Sequence, residues 1–195
     1  MQINNKPFLY ASCFIFYLLF CFSTQAQTTK LGGIELKESI KLGKNTLQLN
    51  GAGQRSKLFI DLYIAALYLS NKSQDAQEII NADEPMLIQI HVISNFITSE
   101  NLTRGTMEGF SKATGNKTEA IQTQINDFLD AFKETIKIGD MFEIVYLPNK
   151  GVTVIKNRHI IKTLAVDLVF KRALFGIWLS NNPAQKSLKD KMLGK

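Results

Sequence analysis

The sequence predicts an α+β fold in which helices are layered on one face of a mainly antiparallel sheet. Two observations support this prediction. Segments with strand character follow one another with turn residues between them, as strands of hairpins do. Segments with a helical period occur in pairs, apart from those hairpins.

Strands dominate the first part of the predicted domain. Residues 31–49 contain short strand-like pieces with turn residues at positions 32–33 and 43–45. Residues 57–70 are aromatic and apolar, and this enrichment between turn residues favours a strand, kinked at residues 65–66. A weaker helical pattern, over residues 73–82, follows this strand.

The central part of the chain combines a strand with a helix pair. Residues 86–93 alternate between apolar and polar side chains, which predicts a strand whose wet face carries Gln89 and His91. The first helix of the pair is predicted over residues 98–113, beginning at position 98 or 99, with an acidic residue in its first turn.

A capping-box pattern predicts the start of the second helix of this pair. Asn116 is the expected N-cap, and Glu119 follows three residues later. Behind them, apolar side chains recur on a single helical stripe. Its members are Ile121, Ile125, Phe128, Leu129 and Phe132.

The last part of the chain predicts a hairpin and two further helices. Residues 141–147 and 151–156 flank a Pro-Asn-Lys-Gly turn, which is a good hairpin signal. Residues 163–180 are broadly apolar and predict a well-buried helix. A short final helix is expected to start at residues 182–183, with proline at its first position, and to end near residue 194.

Residues 1–26 have the order of a cleavable export signal. A short, positively charged start precedes an apolar run over residues 8–22 and a small-residue site ending at Ala26. An uncleaved membrane anchor is the alternative, but a spanning helix needs about 20 apolar residues, and this run is shorter. Cys21 raises a second alternative, a lipid-attachment site, against which the bulky Phe20 before it argues.

We therefore expect a periplasmic or secreted protein, with residues 27–195 forming a single domain and no stable membrane span after cleavage. Both cysteines, Cys13 and Cys21, lie inside the expected signal. The mature domain is accordingly expected to lack disulfides, thiolate metal sites and cysteine nucleophiles. Its stability must then come from a hydrophobic core.

Charge and motif content exclude several functional classes. The chain carries 23 Lys and Arg against 17 Asp and Glu, a net charge of +6, and these charges are interspersed. A nucleic-acid footprint would need a basic face with interleaved aromatic residues, so no nucleic-acid partner is expected. His91 and His159 have no second ligand at metal spacing, and no catalytic or phosphate-binding motif is present, so we expect neither metal nor cofactor.

The run Leu-Asn-Gly-Ala-Gly-Gln-Arg at residues 49–55 leads into the apolar strand that carries Tyr63. Its two glycines allow a close backbone approach or a positive φ. Arg55 enters an apolar environment, where an unpaired charge is costly, and a bound carboxylate would satisfy it with bidentate geometry. The alternatives are an arginine that reaches solvent or pairs with Asp61.

This run, together with residues 62–69, resembles the signature strand pair of the chalcone isomerase-like superfamily. Residues 173–194, with Ala-Leu-Phe-Gly-Ile-Trp-Leu-Ser at the start, resemble the end of its bacterial exported branch. The resemblance extends over about residues 31–194. It implies helices layered on a large antiparallel sheet, with a ligand cleft between the two layers.

The resemblance also implies roles for individual positions. Arg55 matches an arginine that steers a phenolate in the isomerases and holds a carboxylate in the related fatty-acid-binding proteins. Tyr63 matches the tyrosine of those binding proteins. Thr98 and Gly105 fall at the isomerases' tyrosine and asparagine positions, and Ala173 falls at their late threonine, followed by the apolar Leu174.

Of the polar residues that the isomerases carry at these positions, this sequence has only the arginine, Arg55. Each missing contact is on the scale of a removed oxyanion donor, about 3 kcal/mol of transition-state stabilisation. The favoured hypothesis is therefore a non-catalytic binder of a fatty acid or similar small amphipathic carboxylate, with Arg55, Tyr63, Thr98 and Leu174 as ligand-binding residues. Phe59 and Phe110 are further candidate wall residues. The alternatives are an isomerase or intramolecular lyase, and an interaction module without a small ligand.

Overall fold

The computed structural model describes residues 1–2 and 28–195. The predicted apolar signal run, its cleavage site and Cys21 lie outside the described residues, so export and cleavage stay predictions. Within the described ranges, no helix is both long enough and apolar enough to cross a bilayer.

The described chain forms nine strands and five α-helices. The strands are β1 (Thr28–Leu31), β2 (Ile34–Lys37), β3 (Ser39–Leu42), β4 (Asn45–Lys57), β5 (Ile60–Leu69), β6 (Met86–Val92), β7 (Met141–Leu147), β8 (Gly151–Lys156) and β9 (His159–Leu164). The helices are α1 (Ala76–Asn81), α2 (Ser99–Thr114), α3 (Gln122–Leu129), α4 (Leu168–Leu179) and α5 (Lys186–Met192). Short 3-10 turns precede and follow α3.

The predicted α+β class is confirmed. Strands β3 to β9 form one antiparallel sheet in sequence order, and β1 and β2 form a separate hairpin. Alternate residues of β5 face opposite sides of this sheet. Leu67 packs in a large core with α1 to α5, whereas Tyr68 packs in a smaller core with Leu36 and Leu47. The helices therefore cover one face, and the N-terminal strands cover part of the other.

This second core corrects the predicted wet face of β6. Leu87 on that face is fully buried, and Gln89 is only 8% exposed. The side chain of Gln89 donates to Glu143 and lies 3.0 Å from the His91 Nε2 atom. The alternation within β6 shows which of its side chains are polar. It does not show that β1 to β4 cover the face that carries those polar side chains.

The apolar segment at residues 57–70 contains a turn as well as a strand. Leu58 and Phe59 have φ values of 50° and 67° and connect β4 to β5. The predicted kink at residues 65–66 is wrong, because β5 pairs with β6 without a register shift from Tyr63 to Leu69. The irregularities lie instead in the pairing of β4 with β5.

Three element boundaries also differ from prediction. Residues 159–164 form strand β9, and α4 begins only after its N-cap Asp167, whose side chain accepts from the Phe170 N–H. Asn116 is not an N-cap, because it follows the αL cap of α2 and itself has a φ of 64°. Helix α5 begins at Lys186, beyond the proline expected at its first position. The hairpin of β7 and β8 is confirmed at its predicted bounds.

Candidate functional site

A cavity of about 300 Å³ lies between the sheet and the helical layer. This volume is at the lower end of the range for small-molecule pockets, about 300–1,000 Å³. Strands β4 to β7 and helices α2, α3 and α4 contribute to its walls. Its buried apolar surface includes Ile90, Phe128, Phe132, Ile144 and Ile177. The cavity is therefore suited to an apolar chain or ring.

Charged side chains at the cavity are mostly basic. Its lining contains Arg55, Lys57, Arg104 and Lys112, against the single acidic side chain of Glu108. All of these except the half-buried Arg55 are exposed, so they lie at the open rim. A cluster of like charges beside low-dielectric walls attracts ligands of opposite charge. The rim therefore favours an anionic ligand.

Arg55 is held at the cavity by polar contacts that leave most of its donors available. Its Nη1 donates to the Ser56 carbonyl at 2.8 Å and to Gln185 Oε1 at 2.9 Å. Among the described residues, no carboxylate forms an ion pair with Arg55. The expected alternative partner, Asp61, accepts a hydrogen bond from the Ser56 hydroxyl instead. The guanidinium is thus positioned but not neutralised.

Tyr63 lies directly beside Arg55, because the two residues are partners in the antiparallel pairing of β4 with β5. Its hydroxyl accepts a hydrogen bond from Trp178 Nε1 at 3.1 Å. Burial raises the pKa of Tyr63, while the Trp178 hydrogen bond and the Arg55 charge lower it in part. The hydroxyl is therefore protonated at neutral pH, and its proton is free to be donated to a ligand.

Gly51, the first glycine of the Gly-Ala-Gly motif, helps to position this site. A Cβ on Gly51 would lie 2.2 Å from the Lys191 carbonyl oxygen, so the glycine permits α5 to contact β4 closely. Asn50 holds the same region, because its side chain donates to the carbonyls of Ser73 and Met192. Docking α5 in this way brings Gln185, at its N-cap, to Arg55. The close-approach interpretation of the motif is confirmed.

Two predicted ligand-binding residues, Thr98 and Leu174, are not among the residues that line the cavity. Thr98 is exposed at the N-cap of α2, where its hydroxyl accepts from the Asn101 N–H at 3.2 Å. Leu174 is fully buried in the helix-side core. Their proposed contacts with a ligand stay predictions. Of the wall candidates, Phe110 is buried in the core, and Phe59 is exposed at the hairpin tip.

Two contacts that orient the site were not anticipated from the sequence. Trp178 and Gln185 meet Tyr63 and Arg55 across more than a hundred residues of chain, so no local pattern could have indicated them. Gly105, which the resemblance placed at a site position, does line the cavity. Apart from its chain neighbours and the backbone of its own helix, no atom lies within 4 Å of the Cβ that another residue would carry there.

The histidines take no part in this site. Burial lowers the pKa of His91, whose ring nitrogen meets Gln89 on the opposite face of the sheet. His159 is exposed at the start of β9. Within the described part of the chain, no group of three potential metal-ligating side chains comes together.

Comparisons with known proteins agree with this architecture. The family model described as chalcone isomerase-like matches residues 28–194. The crystal structure of a fatty-acid-binding protein from Arabidopsis thaliana superposes with a TM-score of 0.68 at 15% identity, covering 86% of this chain and 96% of that chain. A search of curated proteins found no significant match. The chain therefore belongs to the chalcone isomerase-like family.

Proposed function

We propose that this protein binds a fatty acid or a similar small amphipathic carboxylate in the cavity between sheet and helices. The observation that carries the proposal is the Arg55 guanidinium, which lies at an apolar cavity without a carboxylate partner among the described residues. The plant neighbour with the same fold is named as a fatty-acid-binding protein, which agrees with this class of ligand.

Arg55 is the proposed anion anchor. Its Nη1 is occupied by two oxygen acceptors, which hold the guanidinium plane in place. The remaining N–H groups can donate to a carboxylate, and charge-assisted bonds of this kind are about twice as strong as neutral ones. The Tyr63 hydroxyl, already oriented by Trp178, is the proposed second donor.

The apolar part of the ligand would occupy the surface formed by Ile90, Phe128, Phe132, Ile144 and Ile177. Each methylene group transferred from water to such a surface contributes about 0.8 kcal/mol. An amphiphile with one anionic end and one apolar end matches both parts of the cavity. A ligand with charges at both ends would leave one charge desolvated and unpaired.

Native mass spectrometry of the purified protein, with and without added laurate or palmitate, tests this proposal. We expect a lipid-sized adduct on the wild-type protein and a rise in melting temperature with added ligand. Arg55→Ala is expected to weaken binding by about 10- to 100-fold, because a hydrogen bond to a charged group contributes about 1.5–3 kcal/mol.

Arg172→Ala is the matched control. Arg172 is exposed on α4 and is not among the cavity residues, so its loss removes the same charge without touching the site. Equal binding by wild type and Arg55→Ala would contradict the proposal. Absence of any adduct or thermal shift would also contradict it, whereas turnover of a chalcone abolished in Arg55→Ala would favour the isomerase alternative.

A further inference from the structure

The tip of the hairpin between β4 and β5 exposes two large apolar side chains. Leu58 is 82% exposed, and Phe59 is fully exposed. Phe96, at the start of the helical layer, is 58% exposed and lines the same cavity as Leu58. These three side chains form an apolar rim beside the cavity mouth.

The backbone of this tip is unfavourable for the residues that occupy it. Leu58 and Phe59 both have positive φ, a conformation for which two-residue hairpins strongly prefer Asn and Gly. Asn-Gly here would satisfy the turn without exposing apolar surface. The local conformation therefore gives no reason for a leucine followed by a phenylalanine, whereas an external apolar contact does.

Basic side chains accompany this apolar rim. Lys57 precedes the turn, and Arg104 and Lys112 lie across the cavity on α2. All three are exposed, and Arg104 forms an ion pair with the exposed Glu100 at 3.7 Å, so Lys57 and Lys112 supply the positive charge that no described carboxylate pairs. Phenylalanine and leucine that enter the acyl boundary, flanked by lysine and arginine that meet headgroups, are the combination by which proteins bind an anionic lipid surface.

We propose that the hairpin tip docks this protein on an anionic lipid bilayer, with Leu58, Phe59 and Phe96 inserted and the basic side chains at the headgroups. Because Leu58 and Phe96 also line the cavity, docking turns the cavity mouth toward the membrane. A fatty acid would then pass between bilayer and cavity with little exposure to water. This last step rests on the proposed function, whereas docking itself does not.

Vesicle co-sedimentation tests the docking. Wild-type protein is expected to bind vesicles of phosphatidylcholine with phosphatidylglycerol, and to bind phosphatidylcholine vesicles much more weakly. Phe59→Gly is expected to weaken binding to the anionic vesicles about tenfold, because it removes an inserted aromatic ring. Raised salt is expected to weaken wild-type binding, since headgroup attraction is screened.

Phe59→Gly is expected to keep the fold, because glycine adopts the positive φ at position 59 without strain. Ile160→Thr is the matched control, since Ile160 is a 70% exposed apolar residue on β9, away from the cavity lining. Equal vesicle binding by wild type and Phe59→Gly would overturn the proposal. A wild-type dimer that Phe59→Gly converts to monomer, without vesicle binding, would overturn it in favour of self-association.

Failure of docking and failure of ligand binding are distinguishable. Arg55→Ala is expected to lose fatty-acid binding while retaining most vesicle binding. Phe59→Gly is expected to lose vesicle binding while retaining its affinity for laurate in solution, because Phe59 is not among the lining residues.

Discussion

The Lys171 ammonium is buried in the helical layer, where each of its three protons has an acceptor. It donates to the carbonyls of Ile79, Ile80 and Ala82 at 2.8–2.9 Å. These carbonyls lie at the C-terminal end of α1. Carbonyls at this end of a helix have no hydrogen-bond donors within the helix, and they carry its partial negative charge. Burial lowers the pKa of Lys171 to about 8, so the group is still mostly charged at neutral pH.

Lys171→Met is therefore expected to destabilise the protein by about 2 kcal/mol, because it leaves buried carbonyls without donors. Urea unfolding followed by circular dichroism measures the change. Arg172→Met on the same helix is the control, since that side chain is exposed. An unchanged midpoint in Lys171→Met would show that the carbonyls find other partners.

At the residue scale, the sequence indicated Arg55 and Tyr63 but not the contacts that orient them. Both lie on adjacent strands joined by a short turn, so their proximity follows from local pairing. Gln185 and Trp178 come from the far end of the chain. No periodicity in a short window specifies such partners, because they depend on how α4 and α5 dock on the sheet.

The contact between α5 and β4 is the element-scale feature that positions the site. Gly51 and Gly53 lie under α5, and a Cβ on Gly53 would lie 2.8 Å from the Lys191 Cβ. The backbone of α5 approaches closely at Gly51, so a side chain there can be accommodated only if the helix moves. Such movement would also take Gln185 away from Arg55.

Gly51→Ala is expected to destabilise the protein by about 1–3 kcal/mol, as overpacking of a close contact does. Gly105→Ala is the matched control, because that glycine lies in the interior of α2 with open space at its Cβ position. It is expected to stabilise the protein by about 0.5–1 kcal/mol through helix propensity. Thermal unfolding measures both, and a Gly51→Ala protein as stable as wild type would contradict the close contact.

Elements with strong local signals were predicted well. The apolar stripe of α3 was correct because its period is local, although 3-10 turns replace the ends of the predicted helix. The sequence pattern does not separate β9 from α4, because the broadly apolar run that predicts the helix begins at residue 163, inside β9. The turn at Asn157 and Arg158, both with positive φ, is what separates β8 from β9.

At the scale of the whole molecule, buried tyrosines make the free energy of unfolding depend on pH in the alkaline range. Burial and the neighbouring Asp83 carboxylate raise the pKa of Tyr146 to about 12, and its hydroxyl donates to Asp83 Oδ1 at 2.5 Å. Burial, Glu38 and Glu143 raise the pKa of Tyr68, whose hydroxyl has no hydrogen-bond partner among the described residues. Both phenols are held protonated on opposite faces of the sheet.

A phenol whose pKa is raised by folding contributes stability below its unfolded pKa, near 10, and this stability is lost as pH rises through the folded pKa. We therefore expect the free energy of unfolding to fall between pH 10.5 and 12, by about 2 kcal/mol from Tyr146 alone. Lys171 has the opposite effect, because folding lowers its pKa from 10.5 to about 8, and this effect fades as pH rises above 10.5.

Urea titrations at a series of pH values measure this fall. Tyr68→Phe and Tyr146→Phe are the comparison variants, and each is expected to have a shallower decline above pH 10.5. Tyr68→Phe is also expected to be at least as stable as wild type at neutral pH, since it removes a buried hydroxyl without a described partner. Identical declines in all three proteins would exclude tyrosine ionisation as the cause.

The sequence by itself determined the strand and helix periods, the β7–β8 hairpin, the α+β class and the candidate anchor Arg55, because each depends on residues close together in the chain. Tertiary structure alone decided the second core over the predicted wet face, the size and lining of the cavity, and the partners of Arg55 and Tyr63. Gln185 meets Arg55 across 130 residues. Such contacts depend on strand register and helix docking, which local side-chain patterns do not encode.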